Sequence, residues 1–188
     1  HEHGVVHRDI KPENIFISAR PALDHVTVLD FGIAKMLPNE EGAATRFTRP
    51  GELVGTPAYM APEQLLGRVV GPRADLYATG LVIGELLSGQ AIYGQTDILD
   101  LVQAKIRTAP TALSYPIQRS PLRRVIRRSL GSKPIQRHAS ATAMAADLLR
   151  AAAPYTPEPV TDPGSHFGRQ RLMRLVCAGR RSGIATQG

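Results

Sequence analysis

A run of charged and polar residues, His7-Arg8-Asp9-Ile10-Lys11-Pro12-Glu13-Asn14, lies between two short apolar runs rich in Val and Ile. Such apolar runs favour strands, so we expect the polar run to be a loop that joins two of them. The loop carries a carboxylate at Asp9, an ammonium group at Lys11 and an amide at Asn14. A carboxylate can orient a hydroxyl and accept its proton, and carboxylate and amide oxygens suit hard divalent cations. The run therefore indicates a loop that carries chemistry.

Two further motifs follow the loop. Asp30-Phe31-Gly32 closes the next apolar run and adds a second carboxylate, and Gly32 lets the backbone turn where a side chain would clash. An irregular segment comes next and ends in Gly55-Thr56-Pro57-Ala58-Tyr59-Met60-Ala61-Pro62-Glu63. Long segments without periodicity are usually functional or disordered. The tripeptide alone is a weak signal, and its place between the loop and this segment strengthens it.

The three motifs together resemble the catalytic domain of eukaryotic-like serine/threonine protein kinases, in the order and approximate spacing of that family. The resemblance covers residues 1–152 and implies a mainly α fold, the kinase C-terminal lobe, with short strands around the catalytic loop 7–14. It also implies an activation segment at 30–63, whose substrate-binding end is the motif at 55–63, and a helical remainder at 73–152. The residues in and around the motifs resemble those of bacterial members of the family.

This resemblance implies a role for each reactive residue. Asp9 is expected to orient the acceptor hydroxyl and take up its proton, and Lys11 to contact the transferring phosphate of ATP. Asn14 and Asp30 are expected to bind the Mg²⁺ that accompanies ATP, and the Thr56 hydroxyl to bond to Asp9 and Lys11. In this family a lysine at the position of Lys11 marks serine/threonine specificity. The implied partners are protein substrates with Ser or Thr acceptors.

Other residues are implied to support the site. His7 is structural in the catalytic loop, and Gly32 is structural after the metal-binding aspartate. Glu63 is expected to pair with Arg137, which lies far along the chain. Asp75 is expected to hold the backbone of the catalytic loop from beneath.

The residue before the catalytic aspartate indicates control by phosphorylation. Arg8 can bind a phosphothreonine through charge-assisted hydrogen bonds, and Lys35 resembles a second phosphate contact. Thr48 and then Thr45 are the candidate acceptors; the alternative is that both are exposed loop threonines. Glu52 lies where many kinases carry the modified residue and is a candidate stand-in for the phosphate.

The first part of the kinase fold has no counterpart in these 188 residues. There is no Gly-x-Gly-x-x-Gly motif, no recognisable strand lysine with its helix glutamate, and no hinge for adenine. We therefore expect a C-terminal lobe with the N-lobe absent, which is inactive alone and needs the missing N-lobe as a partner. The alternative is a complete, non-catalytic kinase-like binding or scaffold module.

The second half of the chain has helical patterns. Pro72 and Gly89 bound a predicted helix over 73–88, whose interior Gly80 and Gly84 weaken it unless they allow close packing. Other helices are predicted over 97–106, from Ser120-Pro121 to Gly131, and from Ser140 to about 152. Short strands are predicted at 5–7, 14–18 and 26–30.

The formal net charge of +7 is concentrated late in the chain. Residues 153–188 read as a Pro-rich linker followed by a basic tail, either flexible or partly an amphipathic helix. A basic tail favours an anionic partner, but no specific nucleic acid is predicted, and a solvated positive face is the alternative.

The cysteine content and hydropathy exclude several classes of protein. Cys177 is the one cysteine, which excludes an internal disulfide or a thiolate cluster and fits a cytoplasmic location. No apolar run approaches the ~20 residues that a transmembrane helix needs. His1, His3 and His7 are interpreted as loop residues and not as a metal cluster.

Overall fold

The computed structural model describes residues 1–18, 25–30, 57–94, 97–107 and 113–153. In these ranges the chain is mainly helical, with one small sheet near its start. The expectation of a mainly α fold with short strands beside the loop 7–14 is confirmed at this level.

The regular elements of the described ranges are two strands and six α-helices. In chain order they are β1 (Ile15–Ser18), β2 (His25–Val28), α1 (Pro62–Leu65), α2 (Arg73–Ser88), α3 (Ile98–Arg107), α4 (Tyr115–Arg119), α5 (Arg123–Ser129) and α6 (Ala141–Ala152). Single turns of 3-10 helix cover Pro12–Asn14, Pro57–Tyr59 and Pro134–Gln136.

The two strands form an antiparallel pair directly after the polar loop. Ile15 pairs with Val28 and Ser18 with His25, so the sheet begins where the loop ends. The predicted strand at 5–7 is wrong, because these residues have no regular structure. The backbone N–H of His7 donates to a side-chain carboxylate instead of a neighbouring strand.

Helix α2 is the centre of the core and has the predicted bounds. It is followed by Gly89, whose φ of 72° is left-handed and whose N–H donates to the carbonyl of Glu85 at 2.7 Å. Glycine adopts this conformation without the steric cost of a side chain. Helix α2 is buried over most of its surface and packs against α4 and α5.

The interior glycines of α2 allow that close packing. A Cβ placed on Gly80 would lie 1.9 Å from Oγ and 2.8 Å from Cβ of Ser129 on α5. A Cβ on Gly84 would lie 2.3 Å from Cδ1 of Ile92. These distances are shorter than those between packed heavy atoms, so Ser129 of α5 and Ile92 of the following loop can lie this close to α2 only because glycine occupies positions 80 and 84.

The remaining helices follow the prediction with small shifts. Helix α6 begins after Ser140, whose Oγ accepts from the N–H of Ala143 at 3.1 Å. Helix α5 begins at Arg123 and not at the predicted Ser120, because residues 120–122 form a turn in which the Ser120 Oγ accepts from the N–H of Leu122. Helices α1 and α4 were not predicted; each is shorter than two turns.

We expect Gly80→Ala to destabilise the fold. The clash with Ser129 is an overpacking cost of about 1–3 kcal/mol, against a gain in helix propensity of about 1 kcal/mol. The free energy of unfolding, measured by urea denaturation, should therefore fall by up to about 2 kcal/mol. Gly94→Ala is the control, because no heavy atom lies within 4 Å of a Cβ there. Equal stability of the two variants would contradict the packing argument.

Candidate active site

The polar loop is held by one buried carboxylate of α2. Oδ2 of Asp75 accepts from the backbone N–H of His7 and Oδ1 accepts from that of Arg8, both at 2.8 Å. The Nε2 of His1 lies 2.8 Å from Oδ2 of the same carboxylate. Burial raises the pKa of Asp75, while the hydrogen bonds from His7 and Arg8 lower it. Asp75 thus ties the start of the loop to the core helix.

Arg8 has a backbone conformation that is costly for a residue with a side chain. Its φ is 65°, in the left-handed region. Two contacts hold it there: its N–H donates to Asp75, and its carbonyl accepts from Nε2 of Gln64 at 2.8 Å. Gln64 also accepts from the N–H of Ala61 at 2.9 Å. The loop is therefore joined to the motif that ends at Glu63.

His7 is buried and links the loop to the residue before Asp30. Its Nε2 lies 3.0 Å from the carbonyl of Leu29, and its Nδ1 accepts from the N–H of Asp9 at 3.3 Å. Because a carbonyl only accepts, Nε2 carries the hydrogen. His7 therefore bridges two segments through the two nitrogens of its ring.

Three of the predicted reactive residues converge in this loop. Nδ2 of Asn14 donates to the backbone carbonyl of Asp9 at 2.8 Å and lies 3.2 Å from its Oδ2. Nζ of Lys11 lies 3.3 Å from the same Oδ2. The side chains of Asp9 and Lys11 are each 20% exposed, so a reacting group can reach them. The structure thus places a carboxylate, a cation and an amide side by side.

Asp30 begins beside this cluster. The N–H of Leu29 donates to the carbonyl of Asn14 at 2.8 Å, which places the next residue, Asp30, at the edge of the loop. Asp30 is exposed and has a φ of 54°. Like Arg8, it is a residue other than glycine with a left-handed backbone conformation. Non-glycine residues in this region cost energy and are concentrated at functional sites.

The donor set of Asn14 and Asp30 fits a magnesium ion. Asn14 turns its NH₂ group toward Asp9, so its Oδ1 is the amide atom left to meet a cation. Asp30 adds a carboxylate. Magnesium is usually bound by one or two such protein oxygens, with phosphate and water completing the shell.

A buried ion pair holds the end of the 57–63 segment. Nη1 and Nη2 of Arg137 donate to the two carboxylate oxygens of Glu63 at 2.6 and 2.7 Å. The Arg137 side chain is fully buried, and it also donates to the carbonyls of Gly131 and Arg73. These are the two residues that the family resemblance pairs.

Several contacts of the site have no counterpart in the sequence-based expectations. His1 was interpreted as a loop residue with no assigned partner, and its ring contacts Asp75. The hydroxyl of Tyr59 donates to Glu85 at 2.5 Å, and burial raises the pKa of Tyr59. The sequence did not predict that Gln64, next to Glu63, contacts the backbone of Arg8. Long-range contacts of this kind leave no periodic signal in a sequence.

Part of the predicted machinery lies outside the described residues. This part comprises Phe31, Gly32, Lys35, Thr45, Thr48, Glu52, Gly55, Thr56 and the tail 154–188.

The sequence matches one family model over most of its length. Residues 1–151 match the model of the protein kinase domain. The chain therefore belongs to the protein kinase family. Protein kinases use ATP and Mg²⁺, which agrees with the donor set of the site.

Curated relatives are bacterial kinases. The chain is 45% identical over 146 residues to the serine/threonine-protein kinase Pkn1 of Myxococcus xanthus, an alignment that covers 76% of this chain and 20% of Pkn1. It is 33% identical over 192 residues to PknB of Mycolicibacterium smegmatis, covering 100% of this chain and 29% of PknB. It is 38% identical over 157 residues to pkn3 of Myxococcus xanthus, covering 79% and 28%. The chain thus spans between 20% and 29% of these relatives.

A helix that crosses a membrane must be both long and apolar. In the part of the chain that the structure describes, none of the helices is both long and apolar enough to cross a bilayer.

We expect Arg137→Ala to cost about 3–5 kcal/mol in the free energy of unfolding, because it leaves the Glu63 carboxylate buried without its partner. Arg150→Ala is the matched control, since Arg150 is exposed and pairs with Asp147 at the surface. Its loss should cost about 0.2–1 kcal/mol. Chemical denaturation of both variants measures the difference, and equal losses would show that the Glu63–Arg137 pair is not an anchor.

Proposed function

We propose that the protein containing this chain is an ATP-dependent protein kinase that phosphorylates Ser and Thr residues of proteins. The observation that carries the proposal is the cluster of Asp9, Lys11 and Asn14, with Asn14 bound to Asp9 and Lys11 3.3 Å from its carboxylate. The kinase family and the named relatives support the same activity.

The proposed roles follow from the chemistry of each group. Asp9 accepts a hydrogen bond from the acceptor hydroxyl, aims its oxygen at the γ-phosphorus and takes up the proton late in the transfer. Lys11 stabilises the negative charge that develops on the phosphoryl oxygens. Asn14 and Asp30 would hold the magnesium ion, which would supply positive charge to offset the negative charge of the ATP phosphates. The Thr56 hydroxyl orients Asp9 and Lys11 in this proposal.

Positioning is the main contribution of such a site. Phosphoryl transfer offers little covalent chemistry to the protein, so catalysis depends on alignment and charge. The contacts of Asp75 and Gln64 with Arg8 hold the loop in the conformation that groups its side chains. A loop with this many fixed backbone atoms is suited to alignment.

We also propose that residues 1–152 correspond to the C-terminal lobe and need additional kinase elements for activity. Large apolar side chains are exposed on or near the two-stranded sheet: Val5, Phe16, Val26, Val28 and Leu29. Val26 and Val28 lie on one face of this sheet and Phe16 on the other, because Phe16 pairs with Thr27. Exposed apolar side chains on a sheet that begins at the end of the catalytic loop favour contact with another part of the protein, and an ATP-gripping lobe would be such a part.

Regulation by phosphorylation is part of the proposal. Nε of Arg8 is buried, and no acceptor for it lies within the described ranges. A phosphate on Thr48 or Thr45, with Lys35 as a second contact, would supply one. We also propose a cytoplasmic location, which the single cysteine favours. The positive charge of the tail 153–188 favours an anionic partner for it.

A transfer assay tests this function. The gene product that contains these residues, given ATP labelled at the γ-phosphate, should form phosphoserine or phosphothreonine in a protein substrate. Asp9→Asn should lower kcat by about 10²–10⁴-fold, because the general base is lost. Asp100→Asn, an exposed carboxylate on α3, is the control and should leave kcat unchanged.

The same assay separates the alternatives. The 188 residues alone should transfer no phosphate, and turnover by them that Asp9→Asn abolishes would overturn the requirement for further elements. Absence of transfer by the whole gene product would favour the non-catalytic binding module.

A further inference from the structure

Lys105 on α3 is a lysine in an unusual place. It is 1% exposed, although it lies in the last turn of a helix whose neighbouring residues Ile106 and Arg107 are exposed. Lysine is almost never fully buried, because moving an ammonium group out of water is costly unless hydrogen bonds replace the lost hydration. A lysine kept in such a position needs specific partners.

The ammonium group has three such partners in one short segment. Nζ of Lys105 donates to the carbonyl oxygens of Pro57 at 2.9 Å, Ala58 at 2.6 Å and Met60 at 2.8 Å. An ammonium group has three N–H donors and no acceptor. All three donors are therefore used, and each goes to the backbone of residues 57–60.

Two aromatic rings lie near the same cation. Nζ is 5.1 Å from the centre of the Tyr93 ring and 5.6 Å from that of Tyr77, within the range of cation–π attraction. Burial lowers the pKa of Lys105 to about 7. The carbonyls and ring faces act in the opposite direction, since both stabilise the charged form, and only that form can donate to three carbonyls.

The segment that Lys105 contacts has little regular structure to hold it. It contains one turn of 3-10 helix, Pro57–Tyr59, closed by the bond from the N–H of Met60 to the carbonyl of Pro57 at 3.2 Å. Its far end is anchored by the ion pair of Glu63 with Arg137. Lys105 thus acts on the near half of the segment, where the backbone carbonyls turn inward.

We propose that Lys105 is a positioning residue for peptide binding, whose ammonium group fixes the backbone of residues 57–60 in the shape that receives the substrate peptide. The inference rests on the proposed function and on the expectation, implied by the family resemblance, that residues 55–63 are the substrate-binding end of the activation segment. It deepens that function by separating the residues that shape the peptide site from those that bind ATP, because Lys105 contacts neither Asp9 nor Asn14 in any hydrogen bond or ion pair of the described residues.

A Lys105→Met variant tests the role of the charge. Methionine fills a similar volume without donors, so three carbonyls lose their partner while the packing of α3 is kept. In steady-state assays of the whole gene product, the KM for a Ser/Thr peptide should rise about tenfold or more. The KM for ATP should stay within about twofold. Lys133→Met, the same change at an exposed lysine, is the matched control and should alter neither constant.

A second pair of variants covers the case in which Lys105→Met does not fold. Tyr93→Leu removes one ring face from the cation and should raise the peptide KM about two- to fivefold. Tyr93→Phe keeps the ring and removes only the hydroxyl, which lies 3.4 Å from that of Tyr77, and should leave the peptide KM unchanged. An equal peptide KM in these two variants overturns the proposal.

The remaining outcomes are also decisive. An unchanged peptide KM in a folded Lys105→Met variant, or an equal rise of the ATP KM, shows that Lys105 has no specific role in peptide binding. Failure of the wild-type protein to transfer phosphate would instead refute the proposed function. In that case amide hydrogen exchange at Ala58, Tyr59 and Met60 decides the positioning claim: faster exchange in Lys105→Met but not in Lys133→Met supports it, and equal exchange overturns it.

Discussion

The buried carboxylate of Asp75 is the interaction on which the candidate site depends. It accepts hydrogen bonds from the backbone of His7 and Arg8 and contacts the ring of His1, so it satisfies backbone donors that a neighbouring strand could otherwise pair with. A buried carboxylate is stable only when its oxygens are hydrogen-bonded, and the loop amides need an acceptor in turn. Each therefore requires the other, and the reactive loop lies where the core helix places it.

Helix α2 connects this loop to the segment that ends at Glu63. Asp75 in its first turn holds the loop, and the carbonyl of Arg73 in the same turn accepts from Arg137, the partner of Glu63. The ring of Tyr77 lies near two cations, with Cζ of Arg137 at 4.7 Å and Nζ of Lys105 at 5.6 Å from its centre. The catalytic and the peptide-binding parts of the proposed kinase thus share one rigid support.

The features that the sequence predicted correctly are those set by neighbouring residues, such as the bounds of a helix. Pro72 and Gly89 bounded α2 correctly, since a proline start and a glycine stop act within one turn. The predicted strand at 5–7 was wrong because its apolar residues match a strand, while the amide of His7 bonds to a side chain 68 residues away. Lys105 was missed because a lysine in the last turn of a helix ordinarily faces water, and its burial depends on residues 57–60 from another part of the chain. Asp75 and Arg137 were identified only through the family resemblance.

Amide hydrogen exchange at His7 and Arg8 tests the central claim most directly. With the carboxylate in place, both amides should exchange slowly; Asp75→Ala should speed their exchange by about tenfold or more, because their shared acceptor is gone. The exposed Asp100→Ala variant should leave both rates unchanged. If His7 and Arg8 exchange equally slowly in Asp75→Ala, the loop is held by other contacts and the dependence on this carboxylate is refuted.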